Sequence, residues 1–339
     1  MIVAILLACL LMASLFVNMQ QLLRAFSFRA APATDSKRGL HETMLDYRHS
    51  RHKIAVIDLA GIIVGDSWDG RSYGMVSQVQ DQLDRAADDS DVKAVLLRID
   101  SPGGEVLAAD TISRAVADFQ NETRKPVIAY LGGLAASGGY YVAVPCQWIV
   151  SNELTITGSI GVIMQGYNYR GLLDKVGIRP QIFKSGKFKD MLSGSKSEDE
   201  TLPQEREMVQ SLIDETFARF KEVVRDGRTY ANNHNDQLGK PLSEDWEEYA
   251  DGRILSGKQA FSLGFVDELG DFETAVQRAL NLAEIPNANL IRYERQFNLG
   301  NLFRLLGESE SRAVRIDLGV DPLPLQPGRL YYLLPTVVP

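Results

Sequence analysis

The chain has 339 residues, 45% of them hydrophobic and 24% charged, with a formal net charge of −8. That length and balance describe one or two ordinary globular domains and exclude a disordered chain. An acidic total leaves no basic footprint for nucleic acid. The two cysteines, Cys9 and Cys146, lie in apolar surroundings at a spacing that suits neither a metal motif nor a disulfide.

Residues 1–23 carry no charge, and 2–17 are almost wholly apolar. This reads as an uncleaved transmembrane anchor, since roughly 20 apolar residues span a bilayer core. A cleaved signal peptide is the alternative, but no basic stretch precedes the segment and no clean small-x-small site follows it. Arg24, Arg29, Lys37 and Arg38 come directly after. By the positive-inside rule they would hold the body in the cytoplasm, unless the natural start lies upstream of Met1 and carries basic residues. Residues 24–52, polar, basic and aperiodic, read as a tether.

From Lys53 the texture changes. "KIAVIDLAGII" is a β-branched run suited to a strand buried on both faces. Val76, Val79, Leu83 and Ala86 then recur at helical spacing. A second buried strand, "VKAVLLRID", leads to a helix over 105–121 carrying Leu107, Ile112, Val116 and Phe119. A third strand, "KPVIAYL", runs into "LGGLAASGGYYVAV", whose end reads as a short buried helix, and "QWIVSN" is a fourth strand. This rhythm implies a parallel sheet with right-handed crossovers. Past Gly158 the pattern loosens, then tightens into an amphipathic helix over 203–226, with Pro203 in its first turn and Met208, Leu212, Phe217, Phe220 and Val224 toward the core. Ser256 and Gly264 bracket a short helix. The remaining residues, 296–339, are rich in Leu and Pro and aperiodic.

Two glycine-rich turns carry the chemistry. Ser137 follows a strand and opens a helix, where free N–H groups favour developing negative charge, and Ala135, Ala136, Gly138 and Gly139 leave room for a substrate backbone. The plainer reading is a serine that only caps its helix. "RIDSPGGEV" also ends a strand and opens a helix, and Gly103-Gly104 after Pro102 is a candidate oxyanion hole or simply a convenient turn. A nucleophile and a set of N–H donors along one sheet edge is what acyl transfer needs. For the base, His41, His49 and His52 lie in the tether and His234 in an Asn-rich stretch read as a loop, so a Ser-His-Asp triad is poorly supported. A buried lysine can act instead if its pKa falls toward neutrality. "IFKSGKFKDML" offers Lys184, Lys187 and Lys189, and spacing alone does not choose among them; a solvated basic loop is the plainer reading.

"LGGLAASGGYYVA", "RIDSPGGEV", "TGSIGV", "KSGKFKDML" and "DGRILSGKQAFSLGFVDELG" occur in this order, and together they resemble the bacterial signal peptide peptidases (SppA type, single-repeat form) of serine peptidase family S49. The likeness covers residues 53–275. It implies an α/β, ClpP/crotonase-like fold behind a transmembrane helix, with a catalytic domain over 53–295. It implies Ser137 as nucleophile, Lys189 as general base, Ser159 orienting the lysine, and backbone N–H groups of Gly104 and Gly103 as the oxyanion hole. Gly133, Leu134 and Gly138 would line the substrate. It further implies a ring-shaped homo-oligomer, peptide substrates such as cleaved signal peptides, and a catalytic domain outside the cytoplasm, against the charge rule above; the sequence shows no metal-site or nucleotide fingerprint, so no cofactor is expected. The chain departs from the family pattern in reading "MLSGSKSEDE" where proline usually follows the lysine motif, a loop difference. The tail "PLPLQPGRLYYLLPTVVP" lies outside the likeness; its apolar, flexible sequence is substrate-like, so it docks in an active-site groove or is trimmed autocatalytically, the plainer reading being a strap packed on the surface. Rival functions are an S49-related protease acting on membrane-protein tails, a crotonase-type acyl-CoA enzyme, and a non-catalytic membrane scaffold.

Overall fold

The computed structural model of the chain describes residues 39–65, 74–236, 238–295 and 330–333. The chain divides into two compact units, 1–41 and 42–339. The expected anchor over 1–23 lies outside the described residues; among those that are described, no helix is long and apolar enough to cross a membrane.

In chain order the elements are β1 (Leu40–Asp46), β2 (Lys53–Ala60), α1 (Met75–Asp88), β3 (Val92–Ser101), β4 (Gly103–Glu105), α2 (Val106–Thr123), β5 (Val127–Ala135), α3 (Gly138–Ala143), β6 (Trp148–Ser151) and β7 (Ile156–Gly158). They continue with α4 (Arg170–Lys175), α5 (Pro203–His234), β8 (Ile254–Ser256), α6 (Gly257–Ser262), β9 (Glu268–Leu269), α7 (Phe272–Leu282), β10 (Asn289–Arg295) and β11 (Tyr331–Leu333). The main sheet runs β1-β10-β2-β3-β5-β6-β9, and β2, β3, β5, β6, β9 and β10 pair in parallel. The fold is mixed α/β with a parallel sheet, as the alternation of β-branched runs and helical stretches implies.

Burial on both faces explains the strand composition. Ile54, Val56, Ala94, Leu96, Ile128 and Val150 pack on one face against Ala275, Val276, Ala279 and Leu280 of α7. In α1 and α2 the buried residues Val79, Leu83, Ile112 and Val116 recur at helical spacing. Leu107, placed at the start of α2, is instead 71% exposed. The helix predicted over 203–226 continues through Gly227 to His234, because a Cβ on Gly227 would strike Val144 and glycine lets the two backbones approach. His234 therefore ends a helix rather than sitting in a loop. Phe220 and Val224 are buried as expected, whereas Met208 and Leu212 are exposed. Ser256 and Gln259 form a reciprocal capping box on α6. Arg228 and Asp267 make a fully buried ion pair, and Asp267 also accepts the Ile149 N–H at 2.8 Å.

Two short strands stand where the sequence shows no periodicity: β1 within the stretch read as a tether, and β11 within the tail. β11 pairs antiparallel with β4, the Gly-Gly segment read as a turn. Cys146 is buried and free.

Candidate active site

The C-terminal ends of β3 and β5 converge on Ser137. The two strands stay in register up to Ile99↔Leu131, then shift, so that Ser101 faces Ala135. The Ser101 carbonyl accepts the Ala136 N–H at 3.1 Å, and its hydroxyl accepts the Gly103 N–H at 3.1 Å. One buried serine, passed over in the sequence, thus ties both glycine-rich turns together. Gly139 must be small for the same reason, since a Cβ there would stand 2.7 Å from the Ser101 carbonyl oxygen.

Ser137 occupies the junction of β5 and α3 with φ 53° and ψ −118°, a left-handed region that costs a non-glycine residue about 1–3 kcal/mol. Its N–H donates to the Gly158 carbonyl at 2.8 Å, and its carbonyl accepts the Tyr141 N–H at 2.9 Å. The hydroxyl makes no capping bond and is buried without a partner. The helix-cap reading of Ser137 therefore fails, and the strained backbone holds a free hydroxyl at the helix start.

Ser159 follows directly on Gly158, the residue that accepts the Ser137 N–H. It too has positive φ, 50°, is buried, and donates its N–H to the Arg253 carbonyl at 2.7 Å. Thr157 Oγ1 donates to the Ala135 carbonyl at 2.7 Å. Ser137 and Ser159 thus sit on adjoining, mutually bonded turns.

The donors cluster opposite. Gly103 has φ +98° and its N–H is engaged with Ser101, whereas the Gly104 N–H faces β11. The Val106 N–H donates to the Leu330 carbonyl at 3.2 Å, so in an antiparallel ladder the next pair to exchange bonds is Gly104 with Tyr332. A Cβ built on Gly138 would stand 3.0 Å from the Tyr332 carbonyl oxygen and 3.1 Å from the Gly104 nitrogen. One built on Gly103 would overlap the same oxygen and lie 2.6 Å from the Gly138 nitrogen. The Tyr332 carbonyl thus takes the Gly104 N–H and lies close to the backbone of Gly138, beside Ser137, with no hydrogen bond from the Gly138 amide. The second edge of this groove was not singled out as a hydrogen-bonding element in the sequence. That edge is Ile163, which exchanges both backbone bonds with Tyr331 at 3.1 Å. Gly133 is exposed, and Leu134 is half-buried with its N–H on Asp100 at 3.1 Å.

The three lysines separate by what they touch. Lys184 is committed to both carboxylate oxygens of Asp190 at 2.8 Å, and the Lys187 ammonium lies over the Phe188 ring at 5.0 Å. Lys189 is exposed, and its ammonium has no ion pair or ring among the described residues. It does not reach Ser137, whose hydroxyl has no partner. The stretch 167–192 that ends just past Lys189 exposes large apolar side chains: Tyr167, Leu172, Ile178 and Leu192 are more than half exposed, and Phe183 is 94% exposed. No group of His, Cys, Asp and Glu among the described residues could hold a metal ion.

Comparison with known proteins gives the family. The profile of "Peptidase family S49" matches residues 119–286. A Synechocystis sp. protein named "Putative protease slr0021" is 39% identical over 234 residues, covering 69% of this chain and 76% of that protein. An Enterococcus faecium protein named "Putative signal peptide peptidase SppA" is 33% identical over 257 residues, covering 75% of this chain and 70% of that one. The solved structure of a ClpP1 mutant from Listeria monocytogenes superposes at a TM-score of 0.40 with 16% identity, covering 65% of this chain and 94% of that one, a match too loose to extend the description of the fold.

Proposed function

The chain belongs to peptidase family S49 and is a serine peptidase, and from that premise we propose that it hydrolyses peptides with a Ser137–Lys189 dyad. The observation that carries this reading is the unpartnered hydroxyl of Ser137 on a strained turn, with a peptide carbonyl on the Gly104 amide close to the Gly138 backbone next to it. In the reaction Ser137 Oγ attacks a carbonyl held there, and the N–H groups of Gly104 and Gly138 stabilise the charge that develops on its oxygen, an effect worth about 2.7–4 kcal/mol per donor. A neutral Lys189 amine takes the serine proton and returns it to the leaving amine. Ser159, one residue from the Ser137 amide's partner, orients that amine.

Lys189 is the only lysine of its segment not already engaged, which favours it over Lys184 and Lys187. Within one chain it stands exposed and apart from Ser137. A second copy of the chain covering the apolar surface around residues 167–192 would bring a lysine to each serine and bury it, lowering its pKa by desolvation. This is the sense in which the site calls for a ring-shaped homo-oligomer and a ClpP/crotonase-like architecture. Substrates entering a groove with backbone bonds on both edges are extended, apolar peptides, and cleaved signal peptides are such chains. The anchor over residues 1–23 would keep the enzyme at the membrane where they arise. A protease acting on membrane-protein tails shares every one of these features except the substrate.

Turnover of synthetic signal peptides tests the reading. Ser137→Ala and Lys189→Ala abolish it, whereas Lys184→Ala retains it. Full turnover by Lys189→Ala removes the dyad.

A further inference from the structure

The segment that carries Lys189 is anchored by a line of charges that ends inside the fold. Asp190, the next residue, has a side chain only 12% exposed, and Lys184 meets its carboxylate from the solvent side at 2.8 Å. From the inner side the Lys196 ammonium lies 3.6 Å from the same carboxylate and donates to Glu205 Oε1 at 2.7 Å. Lys196 and Glu205 are both buried, and Glu205 stands in the first turn of α5. Between Asp190 and Lys196 the chain is tightly turned. Ser193 donates its N–H to the Asp190 carbonyl, Lys196 donates its own to the Ser193 carbonyl, and Leu192 holds a φ of 66°. A leucine keeps that left-handed backbone only where its surroundings over-determine it.

From this line we infer that Asp190, Lys196 and Glu205 are positioning residues for the base: a largely buried ionic strut that fixes the Lys189 segment to the start of α5. This rests on Lys189 being the base. A buried ion pair adds little stability over apolar side chains of the same volume, because desolvation offsets the attraction. What it does supply is a fixed direction and length, and taking the proton of Ser137 requires an amine held within hydrogen-bond reach. The helix at the far end of the strut is itself fixed. About 35 Å further along, at 1.5 Å per residue, Gly227 lies against Val144 at the end of α3, and Arg228 pairs with Asp267. α3 opens on Ser137. One helix therefore references both members of the dyad, the base from its first turn and the serine through α3. Lys184 lies outside this line, and its loss leaves the contact between Asp190 and Lys196 in place.

Peptide turnover and urea unfolding of the full chain test this. Lys196→Met strands the buried Glu205 and should lose both stability and kcat. Lys196→Met combined with Glu205→Leu strands no charge there, and should recover the stability but not the rate. In that double variant kcat should stay about 10–100-fold below wild type with KM changed by less than about twofold, and Asp190→Asn should show the same split at nearly wild-type stability. A double variant whose kcat returns together with its stability, or Asp190→Asn at wild-type kcat, overturns the strut while Lys189 keeps its role. Lys189→Ala turning over peptides as wild type does overturns the base and this inference with it.

Discussion

If Ser137 is placed for chemistry, the fold should be more stable without it. Its φ of 53° and ψ of −118° cost about 1–3 kcal/mol, and its buried hydroxyl, lacking any partner, costs about 1–3 kcal/mol more. Ser137→Ala removes the second cost and keeps the first, so it should stabilise the protein by about 1 kcal/mol. Ser137→Gly removes both, less roughly 0.5–1 kcal/mol for the extra chain entropy of glycine, and should stabilise by about 1–5 kcal/mol. For a unit of this size that is a rise in Tm of about 2–4 °C per kcal/mol, measurable by calorimetry and by urea unfolding at constant slope. The order expected is glycine above alanine above serine, with peptidase activity lost in both variants. Both variants melting below wild type would refute the claim that strain and an unsatisfied hydroxyl are stored at this position.

A methyl group on Gly104 would overlap the Ile63 carbonyl oxygen, breaking the Ile63–Gly103 and Glu105–Ile63 bonds of 2.8 Å and shifting the donor amide. Gly104→Ala should therefore lower kcat/KM by at least ~100-fold in a peptide assay, whereas Gly171→Ala, which meets open space, should not. Asp267→Ala strands the fully buried Arg228 and should cost about 3–5 kcal/mol in urea unfolding. Burial pushes the phenols of Tyr140, Tyr141 and Tyr332 above their ordinary 10.0 by disfavouring the phenolate. The stability they contribute is whole below pH 10 and is lost as pH rises through the raised values. Phenolate absorbance should accordingly show these rings ionising only with alkaline unfolding, not in the step shared by exposed tyrosines.

The sheet was readable because its strands are buried on both faces, so "KIAVID" and "VKAVLLRI" carry their fate in composition. The turn at Ser137 was readable because small residues crowd one hydroxyl, a pattern that a simple cap does not need. The misreadings share one cause, a partner distant in sequence. Pro102-Gly103-Gly104 has the look of a turn, and becomes a strand only because residues 331–333 lie beside it. Three residues of strand carry no periodicity of their own, so β11 was invisible. Met208 and Leu212 follow the helical stripe of α5 but find no cover among the described residues, and Ser101 acts through a backbone carbonyl that composition does not mark. In the sequence Lys189 was set apart from its neighbours by the family resemblance alone; the Lys184 ion pair and the Lys187 ring contact are visible only in the fold.

The paired edges of the groove have a consequence for what can enter it. Consecutive residues there spend their amides and carbonyls alternately on β4 and on Ile163, so an incoming chain must arrive with both sets free. A helix has already used them along its own axis, and a strand within a sheet has used them on its neighbours. On the proposed role of Ser137, unwinding is then the admission test: secondary structure itself would shield intact proteins, and only chains that have lost their fold, or never had one, would reach the serine.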